Sequence, residues 1–139
     1  MAGSATDYWE KKLLDHVFRS AALGLDATNL WVGLLTGAPS DSAAGTEVAG
    51  DAYARVAVNR TGTGWDAATG DSPSTTDNSG TISFPTATGD GWGTVTHFGI
   101  YDAATAGNLL YWADLTASKA VGAGDTASFA AGALTVTQD

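Results

Sequence analysis

The strongest constraint on the fold is one stretch, Trp92 to Trp112, in which two runs rich in Thr, Val, Ile, Phe, Tyr and Trp flank the small-residue segment Asp102 to Asn108. β-Branched and aromatic residues suit a pleated, packed surface, and Asp, Gly and Asn tolerate the positive φ angles of tight connections. The stretch therefore predicts a β-hairpin. In its first arm Thr94, Thr96, Phe98 and Ile100 share one face, and Val95, His97, Gly99 and Tyr101 share the other. Both faces carry bulk, which predicts a central position in the sheet rather than an edge.

The other segments are read around this hairpin. A chain of 139 residues suffices for one domain, 1–139, that buries roughly two-thirds of the surface its unfolded form exposes. Near its start, Ser4 followed by Asp7 fits a capping box, with Thr6 as an alternative N-cap, and a helix is predicted over 4–22 with Gly24 as its stop. Trp9, Leu13 and Val17, with Leu14 and Phe18 beside them, form an apolar stripe, while Glu10, Lys11, Lys12, Asp15 and Arg19 populate the other side. Two readings stand side by side. The stripe lies on the sheet and closes the domain, or the helix, which carries three of the six basic residues, docks on a partner.

The β-domain is predicted over 29–139. Asn29 to Thr36 is a nearly continuous apolar run and reads as a buried strand; Tyr53 to Arg60 alternates and reads as another, with Arg55 pairing an acid or packing its stem. Between them, Gly37 to Ala52 is a loop longer than a connection needs. A second polar segment, Thr61 to Ser79, holds one large apolar group, Trp65, either a lid pinned to the core or a ligand platform. Thr81 to Phe84 is a short strand closed by Pro85. Further strands are expected at Leu115 to Val121, Thr126 to Ala130 and Ala133 to Thr137. The sum is a mainly β protein: an antiparallel β-sandwich or flattened barrel of seven or eight strands with one N-terminal amphipathic helix.

Charge and residue types exclude several functions. The formal charge is −9, and Thr61 to Ser118 contains six Asp and no Lys or Arg. Such a surface repels phosphate, which argues against nucleic acid and against an anionic membrane as partners. Cysteine is absent, so no disulfide, thiolate metal site or cysteine nucleophile is available. Without a signal-peptide pattern or an apolar run near ~20 residues, the chain is expected to be soluble and made in a cytoplasm. His16 lies among helix charges, and His97, mid-strand, is read as a histidine satisfied by hydrogen bonds, with Asp102 and Asp114 able to approach it across the hairpin. No Gly-x-Ser-x-Gly elbow, metal-ligand spacing or phosphate-binding glycine motif accompanies them. No catalytic, cofactor-binding or metal residue is assigned, and the protein is not expected to be an enzyme.

The segments Leu13–Phe18, Leu30–Pro39, Glu47-Val48 with Tyr53–Val58, Ile82–Ala87, Trp92–Asp102, Gly107–Tyr111 and Gly124–Val136 resemble a family of small tailed-bacteriophage structural proteins often labelled phage tail-fibre protein. The resemblance implies a virion protein made in the bacterial host cytoplasm. A compact acidic β-domain with a terminal helix and two long loops suits an outer capsid decoration, or cement, protein. Such a protein would self-associate, as a trimer if it matches a capsid surface, and bind the major capsid protein. The alternative is a tail-fibre or baseplate module for host attachment. Either way function rests on protein contacts, and the candidate interface residues are Tyr8, Trp9, Lys12, Leu13 and Arg19 on the helix, Pro39 and Glu47 in the first loop, and Trp65 in the second.

Overall fold

The fold is described from a computed structural model that covers residues 4–138; residues 1–3 and 139, the ends of the predicted unit, lie outside the described part. The hairpin forms where the aromatic and β-branched runs place it. Strand β7 (Gly93–Tyr101) pairs antiparallel with β8 (Leu109–Val121), and on its other side with β2 (Asn29–Gly37). β7 is thus central, as its two bulky faces predict. In the connection, the Asp102 carboxylate accepts hydrogen bonds from the Asn108 backbone N–H (2.7 Å) and side-chain amide (2.8 Å), while Ala106 and Gly107 take positive φ.

The main sheet has six strands. Its order is β1 (Ser4–Ala5), β8, β7, β2, β3 (Thr46–Glu47), and β4 (Val56–Asn59) also pairs with β2. Two antiparallel ribbons complete the β-structure: β5 (Ser74–Asp77) with β10 (Thr135–Gln138), and β6 (Ile82–Ser83) with β9 (Ser128–Phe129). The larger core joins Val32, Leu34, Phe98, Ile100 and Ala113 of the main sheet to Ile82, Phe84 and Leu134 beside the ribbons. Asn78 ties the layers together: its buried amide donates to the Gly80 and Ala130 carbonyls (2.8 and 2.9 Å) and its oxygen accepts from the Leu134 N–H (2.9 Å).

Three differences from the sequence reading have local causes. Among the described residues there are ten strands rather than seven or eight, because β1, β3 and β5 form inside segments read as helix or loop. β5 is Ser-Thr-Thr-Asp, with no apolar alternation to announce it. Second, β8 runs unbroken to Val121, but Val95 pairs with Lys119 while His97 pairs with Asp114, so Leu115 to Ser118 stand opposite Thr96 alone. This irregularity breaks the strict alternation of β7, and Val95 joins Phe98 and Ile100 in the core. Third, helix α1 spans Asp7–Arg19 rather than 4–22. Ser4 and Ala5 are instead paired with Trp112 and Tyr111, Thr6 is the N-cap, and Ser20 ends the helix in a left-handed conformation, four residues before Gly24.

Candidate partner interface

Helix α1 is fixed to the sheet through its first half. The Thr6 hydroxyl donates to the Leu109 carbonyl (2.7 Å) and accepts from the Trp9 N–H, and the Thr6 N–H donates to the Leu110 carbonyl (2.9 Å). Trp9 is 6% exposed, packs with Ala5 and Leu110, and its indole N–H donates to the Tyr111 hydroxyl (2.8 Å). Leu13 rests on the same small core with Leu23, Leu25 and Leu30. Around the helix from Leu13, packing stops. Leu14, Val17 and Phe18 are 59%, 69% and 78% exposed.

Helix geometry explains the split. At 100° per residue, Trp9, Leu13, Val17, Leu14 and Phe18 spread over about 180° of the circumference, against the ~100° stripe that one packed face needs. One edge of that arc meets the sheet and the other faces outward. Burying each exposed side chain would contribute roughly 1.5–3 kcal/mol, which the isolated chain forgoes. The helix carries three acids and three bases, so the whole net charge of −9 belongs to the rest of the chain. Its one internal ion pair, Arg19 with Asp15 at 3.5 Å, is exposed and contributes little.

The predicted interface residues divide. Tyr8 and Arg19 are exposed on α1, and Lys12 lies half-buried with its ammonium 5.7 Å from the Tyr8 ring centroid. Trp9 and Pro39 are buried, so neither offers surface to a partner. Leu13 belongs to the small core, and Trp65 packs against the large one as a lid. The sequence reading placed Val17, Leu14 and Phe18 in one stripe; the width of their arc was the available signal that they form a separate face.

Glu47 is also engaged internally, in the densest polar cluster of the fold. Gly33 and Gly99 stand opposite each other in β2 and β7, and a methyl on either would lie within 2.9 Å of Cε2 of the Tyr101 ring; the missing side chains let the ring lie across both strands. Arg55 stacks on that ring at 3.5 Å. It donates to both Glu47 oxygens (2.8 and 2.7 Å) and to the Ala103 and Ala106 carbonyls (2.7 and 2.8 Å), fixing the hairpin connection. The Tyr53 hydroxyl donates to Glu47 (2.7 Å) and accepts from the Leu34 N–H (2.9 Å). Burial pushes the Tyr101 hydroxyl up to about 12, with the Glu47 charge acting in the same direction, and burial raises Tyr53 as well. For Arg55 burial works against the charge, but the bond and charge of Glu47 outweigh it and hold the guanidinium above its ordinary value.

His97 is similarly enclosed. Its Nε2 donates to Asp114 (2.7 Å), its Nδ1 lies 2.7 Å from the Thr96 hydroxyl, and its ring lies 5.9 Å from that of Trp112. Asp114 thus meets it across the hairpin and Asp102 does not. A hydroxyl, an imidazole and a carboxylate in a row suggest nucleophilic chemistry, but of the three only Asp114 lines the groove beside β9, and none lines the cleft beside α1. Among the described residues no cluster of three or more His, Asp or Glu is arranged to hold a metal ion, and no helix is long and apolar enough to cross a membrane.

A second candidate surface has no α1 residue in its lining. Between the irregular end of β8 and the segment around β9 is a groove of about 530 Å³. Its lining is mixed: Leu115, Ala127 and Phe129 with Phe98 beneath, and the polar Asp114, Lys119 and Thr126.

These features define a mainly β structural module whose Arg55–Glu47 and His97–Asp114 groups bond within the fold, whose buried Trp65 and Trp112 indole nitrogens lack partners, and whose helix carries an exposed apolar face. Residues 4–137 match the family described as Podophage GP4 fiber I protein gp80, and the chain belongs to that family. It is therefore a phage structural protein associated with the virion, in line with the tail-fibre resemblance. No curated protein matches the chain.

Proposed function

We propose that the protein is a non-enzymatic fibre module of a tailed-phage virion, held in its assembly by the exposed turn of α1. The family match over residues 4–137 carries this reading, and it favours the tail-fibre alternative over the capsid decoration role. Leu14, Val17 and Phe18 supply the contact, because three neighbouring apolar side chains in water gain most from a partner that covers them. The module self-associates, and the assembled copies attach to tail or baseplate proteins.

Immunogold labelling of purified virions, with copy number by mass spectrometry, tests the location. Label on the tail at tens of copies and antibodies that block adsorption are expected. Label distributed over the head at hundreds of copies, with heads that rupture more readily when the protein is missing, would restore the decoration reading.

A further inference from the structure

We infer that the exposed turn of α1 in one copy docks into the β8–β9 groove of a second copy, joining two different surfaces of the chain head to tail. The inference rests on the fibre reading and names the partner of that same helix. It starts from an exposed apolar helix face and a groove of mixed lining, which stand at opposite ends of β8 and do not cover each other within one molecule. α1 sits with Leu30, Leu110 and Tyr111, where β2 and β8 begin. The groove lies where β8 ends, between Ala113 and Val121, and no α1 residue lines it.

Size and charge favour this pairing. A groove of about 530 Å³ falls within the roughly 300–1,000 Å³ of sites that enclose a compact apolar group, and Leu14, Val17 and Phe18 project from consecutive turns as one such group. Two bodies that each carry −9 repel over most of their surfaces. The helix is neutral and holds Lys11, Lys12 and Arg19, so it is the part of one copy that can approach the acidic body of another. Arg19 is held only by an exposed ion pair and is free to meet Asp114 at the groove, while Lys119 there can meet the acids of the incoming helix.

The symmetry of the contact has a structural consequence. A helix pairing with its own copy would close as a dimer, whereas knob into groove leaves one free knob and one free groove on every assembly and continues unless the rotation closes a ring. Three side chains make a small interface, so each junction is weak alone and gains strength when copies are held in a row. That is a suitable junction for an extended appendage.

Sedimentation velocity on the full chain and two variants tests the inference. Phe18→Asp removes the knob, and Ala117→Trp fills the groove from an exposed position; Leu14→Asp and Ser128→Trp repeat the two arms, and thermal melts verify folding. The wild type is expected to show a sedimentation coefficient that rises with concentration without a plateau. Each variant alone should associate at least about tenfold more weakly. Mixed, the two should form a heterodimer and nothing larger, because Phe18→Asp still offers a groove and Ala117→Trp still offers a knob. A mixture that stays monomeric overturns the inference, as does an Ala117→Trp variant that associates like wild type, or a wild type that is monomeric at every concentration. Tail labelling of virions is unaffected by those outcomes, so failure here is distinguishable from failure of the fibre reading.

Discussion

Arg55 carries a full charge and its side chain is 7% exposed; Phe18 carries none and is 78% exposed. The two residues invert the rule that charge belongs outside and apolar surface within. Each inversion has its own cause. Arg55 remains charged inside because Glu47, two carbonyls and the Tyr101 ring replace the water it lost. Phe18 remains outside because the anchors of α1, Thr6, Asp7, Trp9 and Leu13, lie in its first half, and among the described residues none packs Phe18 into either core. The cluster richest in chemical groups is therefore structural, and the surface poorest in them is the candidate for function. What marks a site here is an unmet interaction rather than a reactive group.

The comparison breaks most directly at Arg55. Arg55→Ala leaves Glu47 part-buried without its partner and frees the Ala103 and Ala106 carbonyls, and a loss of about 3–5 kcal/mol is expected in urea denaturation. A loss near zero would mean that the cluster does not hold the fold, and would reopen it as a binding site.

Alkaline pH probes the same cluster without mutation. Tyr101 has a folded pKa raised to about 12, above its unfolded value of about 10. The folded state thus holds the proton more tightly, and the associated stability is fully present below about pH 10 and lost as pH rises through about 12. The limiting size of the effect is on the order of 2–3 kcal/mol. Denaturation midpoints measured from neutral pH upward should fall across that window, together with the tyrosinate absorbance change. The Phe18→Asp variant should show the same fall.

His97→Ala is expected to cost less, about 1–3 kcal/mol, through the bonds to Asp114 and Thr96 and the contact with Trp112. Calorimetric melting measures it. A variant that melts normally and loses an activity would place His97 in a reactive site instead of in the scaffold.

Much of this fold was legible because β2, β7 and β8 carry strong local patterns. The central place of β7 and the Asp102–Asn108 connection follow from residue types at known spacing, whereas for Trp65 the sequence left lid and platform open and packing against the large core favours the lid. Other features have no local signature. Ser74–Asp77 becomes a strand only because Thr135–Gln138 lies beside it, and Ser4–Ala5 only because β8 has a free edge there. The pairing of Glu47 with Arg55 depends on how two loops meet, which alternation cannot encode. Val95 was assigned to the wrong face because the extra residues that shift its register are in β8, not in β7. On α1 the pattern was visible in full, but a stripe does not say how much of itself the body will cover.

The smallest expected change in stability is the sharpest test of the comparison. Phe18 makes no part of either core, so Phe18→Asp removes no packing; its cost should stay below about 1 kcal/mol, from placing an acid near the negative end of the helix dipole. Phe18→Ser avoids that charge and should fall within about 0.5 kcal/mol of wild type. Incorporation into particles, scored by complementing a phage that lacks the gene, should nevertheless drop sharply for both. If either variant instead loses several kcal/mol, the exposed turn supports the fold of its own chain, and the contrast with Arg55 disappears. If both melt as wild type and assemble normally, the patch is idle and the contact must be sought at the groove alone.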